Sequence, residues 1–330
     1  MTKTSVSRRR FLTVLAASTI AGGSHRERGA VAHEWNGTAL GADARILLSG
    51  EGGCTPSQAI ADCLQEIERL ERIFSLYVEH SELVELNRRG RIDAASLDLR
   101  IVLEHSKRLH AWTGGLFNPT VQPLWDLYAS WFSLDPAREL PPDRLINRAL
   151  ARVGIENIQT DGATVRLLRG SGLTLNGIAQ GYISDRVVDI LRNGGVTHAL
   201  VDMGETRAVG GKQEGAPWRI GIADPSDPAR SCAELNLADK AVATSGAYGF
   251  QFEPTGRFNH LFDPRNGQCA TLYRSVSIVA DDATTADALS TACSLLGQDQ
   301  IARALSAGRA DYALVVDQTS LIRRIAKAAI

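Results

Sequence analysis

An aspartate and a threonine stand four residues apart near the start of a predicted helix, in the run TTADALSTA at residues 284–292. Asp287 and Thr291 therefore project from one face of that helix. A carboxylate and a hydroxyl side by side can hold Mg²⁺ through oxygen ligands, with phosphate and water completing the coordination. Alternatively, Asp287 lies in the first turn and only interacts with the helix dipole. The spacing alone favours neither interpretation.

A histidine precedes a turn signature in the run FNHLFDPRNG at residues 258–267. Asp263-Pro264-x-x-Gly267 is typical of a tight turn, and His260 stands just before it between apolar residues. An imidazole that titrates near neutrality is suited to general-base work. A lone histidine in apolar sequence is, however, more often a structural residue than a catalyst.

Two further clusters combine glycine with small polar residues. The run LNGIAQGY at residues 175–182 is a predicted strand–turn–helix junction, where the free N–H groups of a new helix suit phosphate. The run VATSGAY at residues 242–248 places hydroxyls and a glycine after a strand, where they can bind a phosphate or the edge of a ring. The alternative for each is an ordinary turn.

Common catalytic signatures are absent from the sequence. It contains no G-x-x-x-x-G-K-[ST], no G-x-G-x-x-G after a strand, no H-E-x-x-H and no G-x-S-x-G. The five cysteines form no C-x-x-C pair and no Cys/His cluster with zinc spacing. These absences argue against a P-loop NTPase, a Rossmann dehydrogenase, a zincin and an α/β-hydrolase.

The overall composition is that of a globular protein with a sizeable core. Of 330 residues, 44% are hydrophobic and 22% are charged, which argues against disorder as the main state. Thirty-six basic and 37 acidic residues give a net charge of −1. This balance gives no electrostatic reason to propose nucleic acid as a partner.

Helices and strands that must position the four clusters alternate irregularly along the chain. Helical spacing of apolar residues begins at the Thr55-Pro56 cap signal and continues to Phe74. The sequence therefore predicts an α+β fold with a substantial antiparallel sheet. The other main predicted helices cover residues 96–112, 143–153, 177–192 and 285–296, and the main predicted strands cover residues 199–203, 218–223, 232–237, 241–244 and 273–280.

The amino-terminal segment has the pattern of an export signal. Arg8-Arg9 is followed by Phe11 and by a mild apolar run that is too short to span a bilayer. A twin arginine in this setting is typical of a Tat signal. Ala30-Val31-Ala32 offers a cleavage site, so we predict a signal segment over residues 1–32, a mature chain from His33 and a periplasmic location. The alternative is a basic helix that stays in the cytoplasm.

Together and in this order, the four clusters resemble the ApbE family of FAD:protein FMN transferases. Two further stretches support the resemblance. The block FSLY…SEL…N at residues 74–87 is similar to the family's F-S-x-Y…S-E-L…N, and GLFNPTV at residues 115–121 is similar to its G-x-F-D-P-T-V. The resemblance covers roughly residues 36–316 and implies one FAD-binding flavin transferase domain over residues 33–330, with mixed, largely antiparallel sheets and packed helices.

The resemblance also implies a reaction. Family members bind FAD and Mg²⁺, transfer the FMN half to a Thr or Ser hydroxyl of a target protein, and release AMP. It implies Asp287, Thr291 and the carbonyl of Gly177 as metal ligands, and His260 as the catalytic residue. The flavin-binding residues implied are Asn118, Thr120, Asn176, Gly177, Ile178, Gln180, Gly181, Thr244, Ser245, Gly246, His260 and Asp263.

The sequence departs from the family pattern at several of these positions. Where the family shows D-L-G-G-I-A-K-G, residues 174–181 are TLNGIAQG, so Thr174 and Gln180 replace an acid and a lysine, and Asn118 replaces an acid in the G-x-F-D-P-T-V block. The run is similar to the NosX-like branch associated with nitrous-oxide respiration, whose exported members flavinylate a membrane-bound electron-transfer partner. Two alternatives use the same site: an FAD pyrophosphatase that releases FMN and AMP, and a flavin carrier without turnover.

The twin arginine gives a direct test of export. Replacing Arg8 and Arg9 together by lysine keeps the positive charge but removes the paired guanidinium groups that the signal depends on. We expect the double variant to remain in the cytoplasm, as measured by fractionation and immunoblotting. Periplasmic recovery equal to that of the unaltered chain would contradict the assignment.

Overall fold

The computed structural model describes residues 18–19, 32–49, 55–212 and 215–328. Apart from Ser18, Thr19 and Ala32, the predicted signal segment and its cleavage site lie outside these residues. The chain has the predicted α+β architecture, and every strand pair in the described part is antiparallel. None of the helices in these ranges is both long and apolar enough to cross a bilayer.

Three antiparallel sheets contain the strands of the described ranges. The largest has eight strands in the order β14-β13-β12-β11-β8-β7-β3-β2, and two three-stranded sheets have the orders β1-β9-β10 and β4-β6-β5. The strands are β1 Ser18–Thr19, β2 Ala32–Ala39, β3 Ala42–Ser49, β4 Arg91–Ile92, β5 Ile158–Asp161, β6 Thr164–Leu167, β7 Ala199–Asp202, β8 Thr206–Val209, β9 Trp218–Asp224, β10 Asp227–Leu237, β11 Ala241–Gly246, β12 Tyr273–Ala280, β13 Tyr312–Asp317 and β14 Ile322–Ala326.

The helices begin where the sequence supplies capping side chains. Ser81 and Ser96 accept hydrogen bonds from the backbone N–H groups of Val84 and Leu99, at 3.1 and 3.2 Å, and so satisfy donors that a helix start leaves free. The helices are α1 Pro56–Phe74, α2 Glu82–Arg89, α3 Leu97–Trp112, α4 Gln122–Leu134, α5 Asp143–Leu150, α6 Ala179–Asn193, α7 Ala283–Cys293 and α8 Gln298–Ala307.

The eight-stranded sheet is covered on both faces because its central strands are apolar on both sides. Val201 and Ile278 belong to the main core formed with α1, α3, α6 and α7. Their neighbours in sequence, Leu200 and Val279, belong to a second core formed with β9 and β10. Side chains alternate between the faces of a strand, so neighbouring residues enter different cores. The sheet is thereby held between helices and a β-ribbon.

Helices α6 and α7 pack closely at Gly181. A Cβ atom at that position would overlap the carbonyl of Ala283 and lie 2.9 Å from the Cβ atom of Asp287. The Gly181 N–H donates to Oδ2 of Asp287 over 3.1 Å. The glycine therefore allows the two helix starts to approach, and this approach fixes the position of the Asp287 carboxylate.

Asp185 of α6 anchors the amino terminus of α7. Its carboxylate accepts hydrogen bonds from the N–H groups of Ala283 and Thr284, at 2.9 and 2.8 Å, and from the Thr284 hydroxyl at 2.6 Å. It also lies 3.2 Å from the Arg207 guanidinium, whose side chain is 8% exposed. Asp282 supplies the adjacent cap by accepting from the Thr285 N–H at 2.7 Å. Sequence analysis had not singled out Asp185.

We expect Asp185→Ala to lower the free energy of unfolding by about 3 kcal/mol, because it leaves Arg207 buried without its carboxylate partner and frees two helix donors. Urea unfolding at pH 7 measures the change. Asp189→Ala is the matched control, since Asp189 lies on the same helix in an exposed ion pair with Arg186. A loss equal to that of the control would show that Asp185 does not anchor α7.

Candidate functional site

A cleft opens where the start of α6, the end of β11, α7 and the loop after β11 meet. The space between its walls is about 1090 Å³ when the open solvent at its mouth is included. Its lining residues are Tyr77, Leu116, Phe117, Asn118, Pro119, Val121, Trp125, Thr174, Asn176, Gly177, Gln180, Glu205, Thr244, Ser245, Gly246, Gly249, Phe250, His260, Leu261, Phe262, Asp287 and Thr291. All four sequence clusters therefore contribute to one cleft.

Most of the residues expected at the site line this cleft. They are Asn118, Asn176, Gly177, Gln180, Thr244, Ser245, Gly246, His260, Asp287 and Thr291. Four expected residues lie outside the lining. Ile178 and Thr120 are fully buried, Gly181 lies where α6 packs on α7, and Asp263 forms an ion pair with Arg265 at 2.6 Å.

Three of these four residues shape the walls behind the lining. Oδ1 of Asn118 accepts from both the N–H and the hydroxyl of Thr120, at 3.0 and 2.7 Å, which fixes the turn before α4. The Asp263 carbonyl accepts from the Gly267 N–H at 2.8 Å, as the turn signature predicts. In this structure Thr120 and Asp263 set the loop geometry, and Gly181 sets the helix packing.

Asp287, Thr291 and Gly177 form one corner of the cleft. The Asp287 side chain is 3% exposed. A Cβ atom on Gly177 would lie 2.8 Å from the Thr291 hydroxyl oxygen, so the glycine leaves open the space in front of that hydroxyl. Burial raises the pKa of Asp287 to about 7. The hydrogen bond from the Gly181 N–H acts in the opposite direction, because it favours the ionised form. A buried carboxylate of this kind is stabilised by a nearby cation.

Glu205, which sequence analysis missed, adds a second carboxylate to the cleft. It lies in the Asp202-Met203-Gly204-Glu205 turn between β7 and β8, is 4% exposed, and accepts from the Thr244 N–H at 3.2 Å. Burial raises its pKa well above the usual range, and the charges of Asp287 and Asp202 raise it further. An acid next to a glycine at the end of a strand was the available signal in the sequence.

Among the described residues that line the cleft, none is a lysine or an arginine. Two carboxylates thus face a space without a fixed positive side chain. Gln180 occupies the position where the family pattern has lysine, and its side-chain amide would lie 2.6 Å from a Cβ atom at Gly204. It therefore packs on the turn that carries Glu205.

The donor set of this corner fits a hard divalent cation. Carboxylate, hydroxyl and backbone carbonyl oxygens are the ligands that Mg²⁺ takes in proteins, usually few in number and supplemented by phosphate and water. Within the described ranges no group of three or more His, Cys, Asp or Glu side chains could hold a metal. The corner can therefore supply part of a coordination shell, which water or a bound phosphate would complete.

His260 also lines the cleft and is partly buried. Its Nδ1 is 3.2 Å from the carbonyl oxygen of Phe250. A carbonyl can only accept, so Nδ1 carries the proton and Nε2 keeps a free lone pair. Burial lowers the pKa of His260, which favours the neutral ring. The histidine is thus held in the form that can accept a proton.

Aromatic residues form part of the cleft wall. The ring centroids of Trp125 and Phe250, which both line the cleft, are 6.0 Å apart. They are continuous with an aromatic cluster of Tyr128, Phe132, Phe252, Phe258 and Phe262, of which Phe262 also lines the cleft. The planar faces are suited to a flat aromatic ligand.

Comparisons with known proteins find relatives over most of the chain. The profile of the ApbE family matches residues 40–315. The FAD:protein FMN transferase of Vibrio cholerae is 30% identical over 300 residues, covering 88% of this chain and 89% of the relative. That of Treponema pallidum is 32% identical over 271 residues, covering 74% of each chain.

Solved structures match the fold over nearly its whole length. The ApbE protein of Thermotoga maritima superposes with a TM-score of 0.80 at 29% identity, covering 89% of this chain and 97% of its own. The flavin transferase ApbE of Vibrio cholerae gives a TM-score of 0.77 at 26% identity, covering 91% and 98%. The predicted fold class is therefore confirmed.

Proposed function

This chain belongs to the ApbE family, and on that premise we propose that it transfers FMN from FAD to a Thr or Ser hydroxyl of another protein, with Mg²⁺ bound and AMP released. The acceptor oxygen forms a bond to the phosphorus of the FMN half. The pyrophosphate bond to AMP breaks, and AMP leaves with the electron pair.

The observation that carries this proposal is a pair of buried acids in a cleft without a fixed positive charge. Asp287 and Glu205 are buried there, and no lysine or arginine is found among the described lining residues. Burial raises the pKa of both acids and so favours their protonated forms, whereas a cation beside them would favour the ionised forms and would also neutralise the phosphate oxygens. A bound Mg²⁺ supplies that neutralisation. Asp287, Thr291 and the Gly177 carbonyl are the groups that would hold it.

The start of α6 supports phosphate binding on the same side of the cleft. No side chain caps this helix at Ile178, and Asn176, Gly177 and Gln180 around its start face the cleft. The Ala179 and Gly181 N–H groups already donate to the Leu175 carbonyl and to Asp287, so what the helix start offers an anion is chiefly its partial positive charge. The neutral Asn176 and Gln180 amides can donate to the same oxygens.

His260 is the base in this proposal. Its Nε2 accepts the proton of the acceptor hydroxyl as the hydroxyl oxygen attacks phosphorus, and the Phe250 carbonyl keeps the ring in the required tautomer. The partial burial of the ring keeps it neutral at physiological pH. The aromatic wall at Trp125 and Phe250 would orient the flavin or the adenine ring.

The sequence supports a proposal for where this transfer occurs. The twin arginine at residues 8–9 favours Tat export to the periplasm, and TLNGIAQGY at residues 174–182 favours the NosX-like branch. The acceptor is then a membrane-bound electron-transfer protein of nitrous-oxide respiration.

A labelling experiment tests the proposed reaction. The purified chain is incubated with FAD, Mg²⁺ and membranes from source cells that lack it, and flavin fluorescence is read after denaturing electrophoresis. We expect a fluorescent protein band together with stoichiometric AMP. FMN and AMP without a labelled band would indicate a pyrophosphatase, and FAD that binds unchanged would indicate a carrier.

Asp287 and Thr291 differ in the expected effect of their removal. Asp287→Ala takes away a charged ligand, so we expect labelling to fall by at least about 100-fold at limiting Mg²⁺. Thr291→Ala removes a neutral ligand and should raise the Mg²⁺ concentration for half-maximal rate by about 10-fold. Asp282→Asn is the control, since Asp282 caps the same helix outside the cleft lining. A normal Mg²⁺ dependence of Asp287→Ala would place the metal elsewhere.

His260→Ala should lower the rate of labelling by about 10²- to 10⁴-fold while FAD still binds. Because the pKa of His260 is lowered, the neutral base persists below its ordinary value of about 6.5, so the rate at saturating Mg²⁺ should fall only below that pH. His198→Ala is the control, since its Nδ1 bonds a carbonyl in the same way, 2.7 Å from Gly211. Loss of folding or of FAD binding would assign His260 a structural role instead.

A further inference from the structure

Two serines next to the metal corner connect Thr291 to the backbone of its own helix. Oγ of Ser245 lies 3.2 Å from Oγ1 of Thr291 and 2.7 Å from Oγ of Ser290. Oγ of Ser290 in turn donates to the carbonyl oxygen of Asp287 over 2.8 Å. Three hydroxyl groups thus form a chain that ends on a carbonyl.

The direction of every proton in this chain follows from the number of donors. Each hydroxyl has one proton, and a carbonyl has none. Ser290 donates to the Asp287 carbonyl, so it must accept from Ser245. Ser245 has then given its proton, so it must accept from Thr291. All three contacts are hydrogen bonds only if every proton points away from Thr291.

This direction determines what Thr291 presents to the cleft. With its proton donated to Ser245, the Thr291 oxygen keeps its lone pairs for the space that Gly177 leaves open. A neutral hydroxyl binds a cation through a lone pair, and a proton pointing at the cation would repel it. Ser290 is fully buried, so the inner end of the chain is shielded from solvent.

We propose that Ser245 and Ser290 are positioning residues, which hold the Thr291 hydroxyl with its lone pairs toward a divalent cation. This role rests on the proposed function. It differs from the flavin contact that the sequence led us to expect for Ser245. The chain ends on the carbonyl of Asp287, so it also links the two side-chain ligands through one helix turn.

The proposal is tested by measuring Mn²⁺ binding to the full chain without flavin. The electron paramagnetic resonance signal of free Mn²⁺ reports how much of the metal remains unbound. The loss of one hydrogen bond that orients a metal ligand corresponds to about a 3- to 10-fold change in metal affinity. We expect Ser245→Ala and Ser290→Ala each to weaken Mn²⁺ binding by that factor. Ser294→Ala is the control, since this buried hydroxyl at the carboxyl-terminal cap of α7 donates to the Ser290 backbone carbonyl and is not part of the hydroxyl chain.

The double variant Ser245→Ala/Thr291→Ala separates positioning from general destabilisation. If Ser245 acts through Thr291, Ser245→Ala should change Mn²⁺ affinity no further once Thr291 is alanine. Additive losses, or Ser245→Ala binding as tightly as Ser294→Ala, would overturn the hydroxyl chain and leave the proposed function intact. No effect of Thr291→Ala, or no Mn²⁺ binding by the unaltered chain, would overturn both the chain and the proposed metal site. Urea unfolding of each variant confirms that it is folded.

Discussion

The buried carboxylate of Asp287 is the constraint on which the site depends. A charge with 3% exposure is costly unless donors and a cation compensate it. The Gly181 N–H supplies one donor, and only a glycine lets α6 approach closely enough to do so. Asp185 fixes the start of α7 from the same helix. Much of the α6–α7 contact can thus be understood as support for one side chain.

The charges of the cleft explain how the departures from the family pattern can be tolerated. The neutral Thr174 and Gln180 stand where the pattern has an acid and a lysine, so the two changes leave the net charge of the cleft the same. Asn118 keeps a side-chain oxygen that accepts two hydrogen bonds from Thr120. The acids that remain are Asp287 and Glu205. Burial alone favours their protonated forms, and a bound divalent cation would favour the ionised ones.

Local patterns in the sequence predicted those parts of the site that depend on local geometry. The four-residue spacing of Asp287 and Thr291 placed them on one helix face, and the helix predicted over residues 96–112 is present as α3, with Ser96 as its cap. The place of Glu205 in the cleft and the contact between Ser245 and Ser290 were missed because both depend on residues that lie far apart in the chain. The strand predicted before the turn of the LNGIAQGY run is wrong: residues 171–175 pair with no described strand, and the Thr174 N–H donates to the Pro119 carbonyl instead.

A divalent cation bound between Asp287, Thr291 and Gly177 is what the proposed reaction depends on most. Anomalous scattering from a crystal soaked with Mn²⁺ and FAD would locate it. We expect a manganese peak about 2.0–2.2 Å from a carboxylate oxygen of Asp287 and from the hydroxyl oxygen of Thr291, in contact with the FAD pyrophosphate. A peak at another site, or FAD bound in the cleft without a peak beside Asp287, would contradict it.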